Sequence, residues 1–487
     1  MGKNHNHKKK SKDASKGSSP QVTAIILAAG KGTRMKSEID KVMHKVAGKT
    51  LVRYVVDAVN AIVADEVVAV IAPTMEAVRD EVLEAFPKAA FARQKERLGT
   101  GHAVICAETE VESRKGVTLI LYGDTPFISP DTLKEMLRTV RANAKMAVCV
   151  LGFSPKHPSD YGRLIIDQQG NLAEIVEYKD ASDAERKVRL CNSGVMAVRT
   201  ELLFDLLSKV NNKNAKGEYY LTDIVKIARE NGYICGVVEA HEAEVMGINN
   251  RANLAEAEKV VQRHLRERAM ENGATLIDPE TVFFHHDTKL GRDVTVHPFV
   301  VFGAGVEVAD GVNIRSFTHI EKAFIDDGAV LGPYARIRPG SDIGKNAHIG
   351  NFVEIKKARV EEGAKINHLS YVGDAFVGAG ANIGAGTITC NYDGYSKYNT
   401  YIGKGAFIGS DTALIAPVKV GEGAIVGAGT TVFNDVPPHA LAINEKKQKI
   451  VKEYAKKYRK DRAKKKADLK KAAKKAGVKA KPKKAKR

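Results

Sequence analysis

The 487-residue chain contains few cysteines and no long apolar run. Its five cysteines, spread between positions 106 and 390, form no CxxC pair, so the sequence predicts neither a disulfide framework nor a zinc site. No stretch approaches the roughly 20 apolar residues that cross a bilayer, and the Lys/His/Ser-rich beginning lacks the apolar core of a signal peptide. We therefore expect a soluble protein of the reducing cytoplasm, without a transmembrane segment.

Charge is distributed unevenly along the chain. Of the formal net charge of +19, residues 1–20 carry +5 and residues 444–487 carry +18, which leaves −4 for residues 21–443. A slightly acidic body with two cationic tails differs from a basic fold that grips nucleic acid. We expect both tails to be solvated and disordered, with at most a salt-sensitive, non-specific attraction to RNA or to anionic surfaces.

The first half of the sequence alternates short β-branched runs with longer amphipathic segments. Runs such as VTAIILAAG, VVAVIA and VTLILYGD are separated by helix patterns near residues 50–63, 75–86 and 130–143. This alternation predicts an α/β domain with a mostly parallel sheet and helices on both of its faces. Residues 163–178 predict an inserted hairpin, and residues 249–271 predict a long helix that bridges two domains.

A different period begins after Gly273. Aliphatic residues then recur every six positions, often followed directly by glycine, which is typical of a triangular parallel β-helix built from hexapeptide repeats. The repeating positions are Val294, Val300, Val306, Val312, Leu331, Ile337, Ile343, Ile349, Ile355, Ile402, Ile408, Leu414, Val420, Val426 and Val432. The register breaks around residues 385–401, which we interpret as a projecting loop of the kind that carries function in such solenoids.

Two segments of the α/β domain combine features of a nucleotide site. The glycine-rich turn 27–35 follows the first strand, and the cations Arg34 and Lys41 lie beside it in sequence. Asp124 ends another buried run at the same sheet edge, where a carboxylate beside a triphosphate ordinarily binds magnesium. Each feature also has a plain explanation: a βα turn, surface charge, or a carboxylate that caps the next helix. For Asn249, helix capping is the stronger explanation.

Polar residues interrupt the aliphatic pattern of the β-helix. Arg338, Lys356 and Lys357 cannot enter a narrow apolar core, so they must line its outside as a candidate phosphate clamp. His368 is either a hydrogen-bonded structural residue or a general base.

Residues 21–443 resemble one bacterial family, the bifunctional N-acetylglucosamine-1-phosphate uridyltransferases and glucosamine-1-phosphate N-acetyltransferases. The motifs that carry the resemblance are, in order, LAAGKGTRM, QKERLGTGHA, LYGDTP, YGR, IVEYKDA, CNSG, EYYLTD, INNR, IRPG, NFVEIKKA, NHLSYVGDA and NIGAGTITCNYDG. The resemblance implies a Rossmann-like nucleotidyltransferase domain followed by a left-handed parallel β-helix. The implied divisions are a disordered basic tail at 1–20, the uridyltransferase domain at 21–248, a linker helix at 249–273, the acetyltransferase domain at 274–443 and a basic Lys/Ala-rich tail at 444–487.

The resemblance also implies two reactions. Acetyl-CoA would acetylate glucosamine 1-phosphate, and N-acetylglucosamine 1-phosphate would attack UTP to give pyrophosphate and UDP-N-acetylglucosamine, a precursor of peptidoglycan and lipopolysaccharide. Mg²⁺ would be the cofactor, Arg34 and Lys41 the electrostatic catalysts, and His368 the base. The assembly would be a homotrimer in which residues 391–399 reach a neighbouring subunit.

The implied ligand contacts fall into four sets. The UDP-N-acetylglucosamine set is Leu27, Ala28, Ala29, Gly30, Lys41, Gln94, Gly99, Thr100, Tyr122, Gly123, Asp124, Gly162, Glu177, Asn192 and Asn249. The glucosamine phosphate set is Arg338, Lys356, Tyr371 and Asn382, and the acetyl-CoA set is Ala385, Asn391, Tyr392, Ser410 and Ala428. The magnesium set is Asp124 and Asn249.

Two positions depart from the family's pattern. Asp40 stands where proline usually precedes Lys41. A carboxylate there can pair with the lysine, and the loop loses a rigid turn, so we expect weaker binding of UTP without loss of activity. Glu445 stands where the family usually has an arginine that contacts CoA phosphates. Glu445 therefore leaves open a uridyltransferase whose β-helix only trimerises it. The basic tails leave open a further alternative, a scaffold that associates with RNA or the cell envelope.

Overall fold

The computed structural model describes residues 21–475 except 114, 159, 215, 446 and 447. The expected disordered tail at residues 1–20 lies outside the described residues.

The first domain is a mixed sheet with helices on both faces. Its strands are β1 Val22–Leu27, β2 Lys45–Val46, β3 Lys49–Thr50, β4 Glu66–Ile71, β5 Ala90–Arg93, β6 Val117–Tyr122, β7 Met146–Phe153, β8 Arg163–Ile166, β9 Leu172–Val176, β10 Cys191–Arg199 and β11 Ile234–Glu239. Its helices are α1 Leu51–Ala61, α2 Glu76–Ala85, α3 Thr100–Ile105, α4 Pro130–Ala142, α5 Asp183–Arg186, α6 Thr200–Ser208 and α7 Asp223–Glu230. The predicted α/β class and the hairpin β8–β9 are confirmed.

Strand order explains where a site can form. The main sheet runs β11-β7-β10-β6-β1-β4-β5; β10 is antiparallel to its two neighbours, and the other pairs on this path are parallel. Because β1 and β6 are parallel neighbours, Leu27 pairs with Tyr122 and both strands end at the same edge. The turn after β1 and the carboxylate after β6 therefore open into one crevice.

A long helix, α8 Arg251–Glu271, joins the two domains. Its apolar residues are divided between them: Leu254 and Val261 pack with the β2–β3 hairpin, Ala269 packs against the β-helix core, and Leu265 packs against both. The buried Gln262 forms two hydrogen bonds with the backbone of Phe284: its Nε2 donates to the Phe284 carbonyl at 2.6 Å, and its Oε1 accepts from the Phe284 N–H at 2.8 Å. These bonds fix α8 to the first coil.

The second domain is a left-handed parallel β-helix with three faces. The first face contains Thr275–Leu276, Thr295–Val296, Asn313–Ile314, Val330–Leu331, His348–Asn351, Lys365–His368, Asn382–Ile383, Phe407–Ile408, Ile425–Val426 and Leu441–Ala442. The second contains Val301–Phe302, His319–Ile320, Arg336–Ile337, Glu354–Lys356, Tyr371–Gly373, Ile388–Cys390, Ala413–Ile415 and Thr431–Val432. The third contains Lys289–Leu290, Val306–Val308, Ala323–Ile325, Ser341–Ile343, Arg359–Val360, Ala375–Val377, Thr400–Ile402 and Val418–Val420.

The six-residue pattern predicts the core of this domain correctly. All fifteen repeating aliphatic positions are buried in one continuous cluster. The expected loop at 385–401 is too long, because Ile388–Cys390 is a regular strand of the coil and only residues 391–399 project.

The C-terminal tail differs from its expectation. Residues Tyr454–Lys475 form a helix, α9, rather than a disordered segment, although the side chains described along it are exposed. Ala and Lys have high helix propensity, which summed over 22 residues favours this helix despite its charge. Among the described residues, no helix is both long and apolar enough to span a membrane.

Two candidate active sites

The first candidate site is a cavity of about 270 Å³ at the edge where β1 and β6 end. Its walls are Leu27, Ala28, Ala29, Gly30, Lys41, Val42, Gln94, Arg97, Gly99, Thr100, Ala103, Tyr122, Asp124 and Glu218. Most of the residues in the predicted UDP-N-acetylglucosamine set thus surround one cavity. Gly123 lies against the cavity wall, because a Cβ added at this glycine would be 3.1 Å from the Val42 side chain.

Cations and oxygen donors converge at one end of this cavity. The Nζ of Lys41 contacts a carboxylate oxygen of Asp124 and donates to Oδ1 of Asn249 at 2.7 Å. Nη2 of Arg34 donates to the same Asn249 oxygen at 2.9 Å. One carboxylate and one amide oxygen therefore face two cationic side chains, Lys41 and Arg34. Such hard oxygen donors also suit Mg²⁺.

Helix capping explains neither oxygen donor. Asn250, with φ −150° and ψ 177°, is the N-cap of α8 and accepts a hydrogen bond from the N–H of Asn253. Ser129 caps α4 by accepting from Thr132. Asp124 therefore lines the cavity, and Asn249 adjoins it through its hydrogen bond with Lys41, so the residues present fit a magnesium ion.

The nucleotide side of the cavity is held by tight backbone contacts. Gly99 has φ +116°, and a Cβ there would lie 2.5 Å from the carbonyl oxygen of Tyr219. The buried Gln94 donates to the Gly99 carbonyl at 3.3 Å, and Thr100 accepts from the Leu221 N–H at 3.1 Å. This turn therefore presents backbone groups to the cavity in a fixed conformation.

A second group of predicted contacts adjoins Tyr122. The N–H of Asn192 donates to the Gly162 carbonyl at 2.8 Å, and the Asn192 side chain accepts from Gly194. Burial raises the pKa of the Glu177 carboxyl. Burial, together with the charges of Asp124 and Glu177, also raises the pKa of the Tyr122 hydroxyl, so this hydroxyl is a neutral donor beside the cavity.

The expected loss of a rigid turn at Asp40 is wrong. Lys41 contacts Asp124 and Asn249, while Asp40 takes φ −53°, within the range that a proline ring imposes. The Asp40 carbonyl still accepts from the Met43 N–H at 2.9 Å. The turn therefore keeps its backbone conformation without proline.

The second candidate site lies on a corner of the β-helix, between its first and second faces. His368 is exposed at the end of its strand and pairs in register with Asn351 of the coil before it. Nδ1 of His368 lies 2.8 Å from Oδ1 of Asn351. Because the amide oxygen can only accept, Nδ1 carries the proton and Nε2 keeps its lone pair for another proton.

Predicted acetyl-CoA contacts continue along the same corner. The strand register aligns the residues that follow Ile383, Ile408 and Val426, which places Ala385, Ser410 and Ala428 above one another in successive coils. Adjacent backbone bonds hold the stack: Ala385 accepts from Asp411 and Ser410 accepts from Gly429, both at 2.8 Å. A narrow ledge of small side chains results.

The predicted phosphate clamp is partly neutralised within the protein. Nη1 of Arg338 donates to Glu354 at 2.7 Å, and Lys356 and Lys357 both lie within 4 Å of Asp374. Lys356 also contacts Lys397 of the projecting loop, and the neighbouring ammonium lowers the pKa of Lys397.

Other predicted contacts surround this clamp. Asn391 is buried and its Nδ2 lies 3.5 Å from the Tyr371 hydroxyl, whereas Tyr392 is exposed in the loop. Asn382 pairs with Lys365 beside the His368 strand. Glu445 is exposed, and the two lysines that follow it, Lys446 and Lys447, lie outside the described residues.

The two domains match two family models. The first matches the MobA-like NTP transferase domain over residues 24–188, and the second matches the bacterial transferase hexapeptide (six repeats) over residues 322–357 and 399–434. Relatives named bifunctional protein GlmU match nearly the whole chain. Identity is 54% over 438 residues for Paramagnetospirillum magneticum, which covers 90% of this chain and 96% of that protein. It is 56% over 430 residues for Rhodospirillum rubrum, with 88% and 95% covered.

The chain belongs to the GlmU family.

A GlmU chain is a bifunctional enzyme. Its α/β domain is a UDP-N-acetylglucosamine pyrophosphorylase, and its hexapeptide domain is a glucosamine-1-phosphate N-acetyltransferase. The substrates are accordingly a nucleotide, sugar phosphates and acetyl-CoA, and the nucleotidyl transfer depends on a divalent metal ion. The function predicted from the resemblance is confirmed, and the scaffold and uridyltransferase-only alternatives are not favoured.

Sequence reasoning missed several residues of the two candidate sites. Arg97 donates from Nε to the Ala29 carbonyl at 2.8 Å and so holds the glycine-rich turn, and Glu218 closes the same cavity. Asp374 and Lys397 lie beside the phosphate clamp. Each of these residues lies within or near a motif that carries the family resemblance, but its contact partners are distant in sequence.

One further donor cluster lies between the two domains. Among the described residues, His285, His286 and Asp287 place their ligand atoms within 4.8 Å of one another. Asp287 already accepts from His285 at 2.6 Å and from Gly305, and the nearby Lys49 charge helps to lower the pKa of His286. The satisfied carboxylate and the adjacent ammonium disfavour a cation here.

Proposed function

We propose that the sugar 1-phosphate oxygen attacks the α-phosphorus of UTP at the sheet edge, forming one P–O bond as the bond to the departing pyrophosphate breaks. The phosphate oxygen is already a nucleophile, so positioning and charge neutralisation supply most of the catalysis. Lys41 and Arg34 lie where negative charge develops. The observation that carries this proposal is their joint contact with Asn249 beside Asp124.

The ligand positions follow from the cavity. Asp124 and Asn249 would hold Mg²⁺, which when bound supplies positive charge to the phosphates. The uridine nucleotide would contact Leu27, Ala28, Ala29, Gly30, Gln94, Gly99, Thr100, Tyr122 and Gly123. The acetamido sugar would contact Gly162, Glu177 and Asn192.

For the β-helix we propose that His368 is the general base. The glucosamine amine attacks the thioester carbonyl, its proton passes to Nε2 of His368, and the departing CoA thiolate takes a proton from the imidazolium. Asn351 supports this role by keeping the proton on Nδ1. Arg338, Lys356, Tyr371 and Asn382 would bind glucosamine phosphate, and Ala385, Asn391, Tyr392, Ser410 and Ala428 would bind acetyl-CoA.

Paired variants test both halves. Asp124→Ala should abolish UDP-sugar formation and leave acetyl transfer intact, and His368→Ala should do the reverse, so each variant controls the folding of the other. Loss of both activities in a folded variant would contradict two independent sites. A wild-type chain that forms UDP-sugar but transfers no acetyl group would restore the uridyltransferase-only alternative.

We propose a homotrimer in which the corner bearing His368 faces another copy. Four exposed rings, Phe299, Phe317, Tyr334 and Phe352, stack along this corner with centroids 4.8–5.2 Å apart. A continuous aromatic ladder of this kind favours burial between chains over solvent exposure. The loop 391–399 projects from the corner between the second and third faces and would reach a neighbouring subunit from there.

Light scattering after size exclusion tests the assembly. Phe317→Asp should dissociate the trimer, whereas Phe324→Asp, an equally non-conservative change at an exposed ring on the third face, should not. Equal masses for both variants would contradict the ladder as an interface.

We also propose that α9 binds nucleic acid through its phosphates. The helix has twelve Lys and Arg residues against two Asp in 22 positions. It lacks the apolar face that would insert into a membrane, so phosphate contacts are the main attraction available to it. Deletion of residues 446–487 should abolish salt-sensitive binding of a labelled RNA duplex and leave both turnover numbers unchanged. Undiminished RNA binding, or binding only to anionic vesicles, would refute the proposal.

A further inference from the structure

A buried carboxylate lies between the two halves of the proposed acetyltransferase site. Asp374 follows the strand Tyr371–Gly373, and its side chain is only 4% exposed. A negative charge at that depth opposes folding unless cations and hydrogen-bond donors compensate it. The groups that compensate the charge of Asp374 therefore show which parts of the site this residue contacts and fixes.

These groups come from both substrate sets. Nζ of Lys356, from the glucosamine phosphate set, lies 3.6 Å from Oδ2 of Asp374. Nδ2 of Asn391, from the acetyl-CoA set, donates to the same oxygen at 2.6 Å. The exposed Lys357 lies 3.8 Å from Oδ1. One carboxylate thus joins the phosphate lysine to the first residue of the projecting loop.

The backbone of Asp374 holds the other end of the loop. Its carbonyl accepts from the N–H of Thr400, the first residue after the loop, at 3.1 Å. Its own N–H donates to the Lys356 carbonyl at 3.0 Å. Both ends of the loop 391–399 are therefore attached to one residue, which is also bonded to Lys356 through its main chain.

The charges in the loop make such a restraint necessary. Lys397 contacts Lys356, and the hydrogen bond with Lys356, together with its positive charge, lowers the pKa of Lys397. Two lysines this close favour a negative charge beside them. Asp374, which is buried and lies within 4 Å of Lys356 and Lys357, supplies that charge.

We propose that Asp374 is a positioning residue for acetyl transfer, which fixes Lys356 and the loop 391–399 relative to each other so that acceptor phosphate and acetyl-CoA are held together. The inference rests on the proposed acetyltransferase function. Asp374 is buried, so it touches neither substrate and carries no proton in the reaction.

Steady-state kinetics of the full-length chain test this role. Asp374→Asn keeps the size of the side chain and removes its charge; we expect KM for glucosamine 1-phosphate to rise at least tenfold, with uridyl transfer unchanged. Asp374→Ala also removes the acceptor for Asn391, so KM for acetyl-CoA should rise as well. The matched control is Asp310→Asn, which removes an exposed carboxylate paired with Arg292 in a distant coil and should alter neither constant.

A double-mutant cycle separates positioning from simple stability. In a Lys356→Met background, Asp374→Asn should change KM for glucosamine 1-phosphate less than twofold, because its partner is gone. An equal effect in both backgrounds, unaltered constants in the single variant, or a parallel fall in uridyl transfer would overturn the inference. Absence of acetyl transfer by the wild-type chain would overturn the proposed function and this inference together.

Discussion

The hydrogen bond between Asn351 and His368 gives the sharpest test of the acetyltransferase chemistry. Asn351→Ala removes the acceptor that holds the Nδ1 proton, so the ring can place its proton on Nε2, the atom that the reaction needs free. The bond is 2.8 Å long and lies near the surface, where a hydrogen bond contributes about 1 kcal/mol net. Since about 1.4 kcal/mol corresponds to a factor of ten, kcat for acetyl transfer should fall about fivefold.

The assay is thiol release from acetyl-CoA with saturating glucosamine 1-phosphate. Asn351→Asp keeps an acceptor oxygen at the same position and should recover most of the rate. Uridyl transfer, measured on the same preparation, should be unaffected by either change. A kcat for Asn351→Ala equal to that of the wild type would refute the assigned tautomer and with it the role of His368.

Three further predictions follow from local geometry. Gly99→Ala should destabilise the α/β domain by more than about 2 kcal/mol in thermal unfolding and reduce uridyl transfer, because a Cβ would lie 2.5 Å from the Tyr219 carbonyl. The control is Gly170→Ala, where φ is +82° but the space around the Cβ is open; it should cost about 1 kcal/mol in the same assay. Arg97→Ala should raise KM for UTP about tenfold without affecting acetyl transfer, since the turn loses a charge-assisted bond to Ala29. Burial lowers the pKa of His286 to about 4, and the charges of Lys49 and His285 add to this effect. Between pH 6.5 and about 4 the unfolded chain therefore binds more protons at this residue than the folded chain does. The free energy of unfolding should fall as the pH drops through this window. His286→Gln should flatten that dependence, whereas the exposed His264→Gln should leave it unchanged.

The repeats and the sheet edge were predictable because their signals are local. A six-residue aliphatic period corresponds to one geometry, and every repeating position is buried as expected. Likewise, a turn after β1 and a carboxylate after β6 must meet if the two strands are parallel neighbours.

Features that depend on distant partners were not predictable. Asn249 and Asn250 are equally good caps by sequence, and only the backbone conformation assigns capping to Asn250. Asp374 and Lys397 meet Lys356 through the stacking of coils, which the aliphatic period does not reveal. The tail was expected to be disordered because its charge was given more weight than its helix propensity.

The most direct measurement is product analysis of the full-length chain with UTP, acetyl-CoA, Mg²⁺ and glucosamine 1-phosphate supplied together. We predict UDP-N-acetylglucosamine, pyrophosphate and free CoA from the wild type, accumulation of N-acetylglucosamine 1-phosphate from Asp124→Ala, and no UDP-N-acetylglucosamine from His368→Ala unless N-acetylglucosamine 1-phosphate is added. A His368→Ala chain that still acetylates the amine at the wild-type rate, or an Asp124→Ala chain that still forms the nucleotide sugar, would contradict the two-site account.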